Sequence, residues 1–157
     1  MRFPEKVYTS KELKEARALV DQGYKHNLVV EGQSEFTKKV KEALDHIKTA
    51  GYQDYLQTYI KKIVEIDGMT QLRETEIAIW ANKFAVDNPV DAASLFIQKA
   101  FSMDEYMHGK LYYGGPAEAR SIAKRIEFLQ ALKDKSPDKE VKEECERLLS
   151  LWKDSSL

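Results

Sequence analysis

The sequence predicts a mainly α-helical fold: about six helices around one core, with a minor two-strand β element. Three observations predict it. Apolar residues recur at three- and four-residue steps along most of the chain. Helix start and stop residues bracket those runs. Only two short stretches, Leu28–Val30 and Glu76–Ala81, favour extended backbone. An all-helical bundle is the runner-up.

Thr9 is the expected cap of a first helix, and Glu12, three residues on, completes a capping box. Leu13, Ala16, Leu19 and Val20 then share one face, and Gly23 stops the run. Asn27–Gly32 breaks the helical pattern, with Leu28, Val29 and Val30 as the first candidate strand. Ser34 starts a second helix with Phe36, Val40, Ala43, Leu44 and Ile47 inward. Gly51 closes it in the left-handed conformation. Asp54 is the expected cap of a third helix, its face Leu56, Tyr59, Ile60, Ile63 and Val64 and its end Gly68.

In Glu76–Ala81, Ile77, Ile79 and Ala81 alternate with Ala78 and Trp80, which suits a strand. A helix through the same residues would put Glu76 and Lys83 into the stripe of Leu72, Ile79 and Val86. A strand apolar on both sides needs cover on both faces, and the next helix is the nearest available. That helix has a strong start, Asn88-Pro89-Val90-Asp91. Its wide apolar surface, from Ala92 to Met107, predicts the central helix of the fold. Tyr112-Tyr113-Gly114-Gly115 is a loop, and Pro116 opens a helix with Ile122, Ile126, Leu129 and Leu132 inward. Ser136-Pro137 is expected to cap a last helix carrying Val141, Cys145, Leu148, Leu149 and Trp152.

The 157 residues are 43% hydrophobic and 32% charged, enough apolar content for one core. With short connections throughout, residues 1–157 are expected to form a single domain. A net charge of −1 argues against duplex nucleic acid, whose binders need a basic surplus. No apolar stretch approaches the ~20 residues that span a bilayer, so no membrane partner is expected. One cysteine, Cys145, allows no internal disulfide; with no apolar signal core between Met1 and Tyr8, a cytoplasmic location is expected.

No motif carries chemistry outright. His26, His46 and His108 stand apart, without the three- or four-residue spacing of a zinc pair, so no metal and no cofactor is expected. They are expected to be surface or helix-terminal side chains. Cys145 lies between Glu144 and Glu146, which disfavour a thiolate. The Gly114-Gly115-Pro116 turn lacks the residues of a phosphate-binding loop. Glu65, Asp67, Glu74, Glu76, Asp87 and Asp91 crowd one stretch; a deep pocket lined by Glu65, Glu74 or Asp91, with a perturbed carboxylate, would favour an enzyme. Tyr52, Tyr55 and Tyr59 recur along one side of the third helix. With Tyr112 and Tyr113 they are the candidate partner-binding residues.

Taken as a unit, Glu76–Glu127 resembles the core of a zincin, the fold of zinc metallopeptidases. Glu76–Ala81 corresponds to the strand, Ala92–Tyr106 to the central helix and Pro116–Leu132 to the later helix. Where that family carries His-Glu-x-x-His, this chain reads Gln98-Lys99-Ala100-Phe101-Ser102. Gln98 and Ser102 replace the histidines, and Lys99 replaces the catalytic glutamate. The resemblance therefore implies a zincin-like relative without the peptidase chemistry, and no catalytic residue is carried over. The leading expectation is a noncatalytic interaction or scaffold domain whose partner is itself, as a homodimer, or another protein. The alternative is an enzyme-like fold whose acids converge only in space.

Overall fold

Mainly helical architecture with a small sheet is what the chain adopts in the computed structural model, which describes residues 2–155. Met1, Ser156 and Leu157 of the expected 1–157 domain lie outside the described residues. The helices are α1 (Ser10–Asp21), α2 (Ser34–Ala50), α3 (Gln53–Tyr59), α4 (Pro89–Met107), α5 (Gly115–Lys135) and α6 (Lys139–Ser155). The strands are β1 (Val29–Glu31), β2 (Lys62–Ile66), β3 (Gln71–Arg73) and β4 (Ala78–Asn82), with a 3-10 turn at Glu74–Glu76.

Local chemistry sets most helix ends where the sequence expects them. Thr9 and Glu12 form the reciprocal capping box, Thr9 Oγ1 accepting from the Glu12 amide and Glu12 Oε1 from the Thr9 amide. Gly51 ends α2 at φ 83°, a conformation that penalises any side chain. Asn88 Oδ1 accepts from the amides of Val90 and Asp91, and Pro89 needs no partner there. At α6 the expectation is corrected. Asp138, rather than Ser136, caps it, its Oδ1 accepting from Glu140 at 2.8 Å and Val141 at 3.3 Å. Ser136 instead accepts from the Asp138 amide and so shapes the turn before it.

The third helix is also corrected. It ends at Tyr59, and Lys62–Ile66 is a strand. Ile60, Ile63, Val64 and Ile66 are β-branched, and the pairing of β2 with strands on both sides outweighs the helical spacing. The expected strand pair becomes a four-stranded sheet in the order β1-β2-β4-β3. β1, β2 and β4 run parallel, and β3 is antiparallel to β4. The two strands read from the sequence are separated by β2. The second begins at Ala78, because Ile77 takes φ 59° and turns the chain out of the 3-10 segment. Leu28, at φ 35°, makes the matching turn into β1. The ladder begins at these bends: Val29 donates to the Lys61 carbonyl at 3.0 Å, and Lys61 to the Ile77 carbonyl at 2.7 Å.

Side chains alternate across a sheet, so the register sorts them into two faces. Val30, Ile63, Ile79 and Leu72 share one face, joined by Ala81, and all belong to the hydrophobic core or pack against it. The helices supply the rest of that core, with α4 at the centre, touching each of the other five. Phe96, Ile97, Ala100, Met103 and Met107 of α4 are fully buried, which accounts for its apolar surface. Among the described residues, no helix is long and apolar enough to cross a membrane.

Candidate functional site

The second face of the sheet carries Val29 and Glu31 of β1, Lys62, Val64 and Ile66 of β2, Ala78 and Trp80 of β4, and Gln71 and Arg73 of β3. None of its larger apolar side chains belongs to the core or packs against it. Val29 is 51% exposed, and Val64, Ile66 and Trp80 are partly exposed. The expectation that helices cover both sides of the Trp80 strand is therefore corrected: one side is covered and the other is open. Arg73 is what shields Trp80, its guanidinium carbon 4.2 Å from the ring centroid. Arg73 also donates to Glu76 Oε2 at 3.3 Å, which holds it at the edge of the ring.

Charge is divided across this face. Glu31 stands on the outer strand β1, Arg73 on the opposite outer strand β3, and Lys62 between them. An apolar centre flanked by an acidic edge and a basic edge can meet a surface of the same kind.

The tyrosine stripe lies elsewhere. Tyr59 is buried, while Tyr52 and Tyr55 are half-buried and pack against the core. The Tyr52 ring meets Phe128 edge-on at 5.4 Å, and the Tyr55 hydroxyl donates to Asp104 Oδ2 at 3.0 Å. Burial pushes the Tyr52 phenol up to about 12 and raises Tyr55 and Tyr59 as well, with Glu127 or Asp104 adding to it. These three side chains tie α3 to α4 and α5. Tyr112 is half-buried against Tyr106, and Tyr113 is exposed beside it.

The acids divide among separate clefts. Glu65 lines a cleft of about 280 Å³ beyond the ends of β1 and β2, and its Oε1 accepts from the Gln33 amide at 2.8 Å. The other charges lining that cleft are paired or exposed, Lys39 with Asp87 at 2.6 Å among them. Glu74 sits in the 3-10 turn beside Tyr112, and Asp91 pairs with Arg125 in a separate groove against α6. Among the described residues, no three His, Cys, Asp or Glu side chains gather closely enough to hold a metal ion.

Of the histidines, His26 departs from expectation. It is 5% exposed, its Nε2 has no hydrogen-bond partner among the described residues, and Phe3 and Tyr24 pack against its ring. Burial, and then the charge of Lys61, pushes its pKa down to about 4. His46 is half-buried and also lowered by burial, and His108 bonds to Asp104 at the end of α4. Cys145 is fully buried; burial, followed by Glu144, pushes its thiol up to about 11.

Gln98, Lys99 and Ser102, which stand where the zincin motif would fall, all line one cleft between α4, α5 and β3. Gln98 is held by Ser121 and Arg125, and Ser102 donates to the Gln98 carbonyl. No known protein family, curated protein or solved structure matches this chain. The open face escaped the sequence reading because its strand β2 was absorbed into a helix. The β-branched enrichment of Ile60, Ile63, Val64 and Ile66 was the signal available.

Proposed function

We propose that this chain is a noncatalytic interaction domain that pairs with a second copy of itself through the open face of its sheet. The carrying observation is that face: Val29, Val64, Ile66 and Trp80 lie outside the core on a rigid, hydrogen-bonded platform. Exposed apolar area of this kind favours association over solvation. Turning one copy over about an axis along the strands brings the β1 edge of each over the β3 edge of the other. Glu31 and Arg73 then lie on facing edges, which supports a second copy as the occupant.

The size of the face sets the strength. Four strands span ~14 Å and five residues ~17 Å, so each copy offers on the order of 250 Å² in projection. A stable interface takes about 800 Å² per partner. The pair is therefore weak, with a dissociation constant on the order of 100 μM. A cytoplasmic setting belongs to the same proposal, supported by the single buried cysteine.

Sedimentation velocity from about 10 μM to about 1 mM tests this. The weight-average coefficient should rise with concentration, and Trp80→Glu should hold it at the monomer value. A flat profile for the unmodified protein over the whole range would refute the proposal.

A further inference from the structure

We propose a second site on this protein, for a small aromatic monocarboxylate, in the cleft between α4, α5 and β3. The cleft holds about 320 Å³, room for a benzoate-sized molecule. Among the described residues, Lys99 is the one cation lining it. The lysine is half-buried, and among the described residues it makes no hydrogen bond and no ion pair. A cleft-lining ammonium without a protein partner is available to a bound carboxylate, and such a charge-assisted contact is stronger than a neutral hydrogen bond. Burial lowers the Lys99 pKa, with Arg125 acting in the same direction and Glu118 opposing it.

The other walls select the rest of the ligand. Gln98 Nε2 uses one proton on Ser121 Oγ at 3.1 Å, which leaves its second for an acceptor in the cleft. Tyr112 and Tyr113 meet edge-on at 5.3 Å, and with Leu72 they offer an apolar wall suited to a ring. Glu118 also lines the cleft, so its charge and that of Lys99 balance. A monocarboxylate then adds one negative charge beside Glu118 and a phosphate dianion two, so the singly charged ligand is the less opposed. This site is independent of the open sheet face, since no residue of that face except Gln71 lines it.

The test is an amide-resolved NMR titration of the intact protein with benzoate, and separately with inorganic phosphate. Benzoate should give saturable shifts at Lys99, Ser102, Tyr113 and Ser121, with a dissociation constant of about 1 mM. Lys99→Met, its fold checked by its own amide spectrum, should weaken binding at least tenfold. The Lys99 ¹³Cε resonance in the unmodified protein gives a second readout, because benzoate should raise the pH at which it titrates. Absence of saturable shifts, unchanged binding in Lys99→Met, or phosphate binding more tightly than benzoate would each overturn the proposal. A Lys99 titration unmoved by benzoate would do the same.

Discussion

The guanidinium of Arg125 and the carboxylate of Asp91 meet 2.7 Å apart, with the Trp152 ring 4.3 Å from the guanidinium carbon. Arg125 is 5% exposed and also donates to Ser94 Oγ at 2.8 Å and Gln98 Oε1 at 2.9 Å. One side chain from α5 thus holds the first three turns of α4 and the end of α6. Arg125→Ala removes the donors and leaves three side-chain acceptors without them. It should cost about 3 kcal/mol of unfolding free energy in urea denaturation. A loss under about 1 kcal/mol would show that the network contributes little.

His26 makes stability depend on pH. Its folded pKa of about 4 lies below the ordinary 6.5, so the unfolded chain takes up a proton that the folded chain refuses. The stability it contributes is complete above about pH 6.5 and is lost as pH falls toward 4, up to about 3 kcal/mol. His46 shifts in the same direction, so the comparison must isolate His26. His26→Phe should flatten the fall between pH 7 and pH 4.5, measured by urea unfolding at each pH. An unchanged slope in the variant would assign the dependence to other groups.

Gly32 is required by close approach. A Cβ there would lie 2.6 Å from Phe36 Cδ2 and 2.9 Å from Glu65 Cβ. The chain passes from β1 into α2 against these two side chains, so Gly32→Ala must push β1 from β2 or displace Phe36 from the core. A cost of about 1–3 kcal/mol follows. Thermal unfolding checks it: a Tm equal to that of the parent would mean that the turn yields without strain.

The helices were legible because their signals are local. Thr9 with Glu12, Asn88 with Pro89, and Gly51 act within a few residues of where they stand. The sheet was half legible, since a strand is stabilised by partners distant in sequence. Leu56, Tyr59, Ile60, Ile63 and Val64 satisfy a helical spacing equally well, and only β1 and β4 on either side decide for β2. The error hid the candidate site, because the open face exists only once Val64 and Trp80 become neighbours. The tyrosines drew attention as residues with a polar end. Their hydroxyls and rings are largely spent on Asp104, Phe128 and one another, which spacing alone does not reveal. Lys99 is legible in the sequence only as a replacement in the zincin comparison, because the cleft around it is assembled from three separate elements.

Self-pairing through the open sheet face is most directly tested by amide and indole chemical shifts on dilution, from about 1 mM to about 20 μM. If the face is the interface, the concentration-dependent shifts centre on Val29, Val64, Arg73 and the Trp80 indole, and Trp80→Glu abolishes them. Shifts confined to another surface, such as the one around Tyr52 and Tyr55, or a spectrum that does not change with concentration, would contradict it.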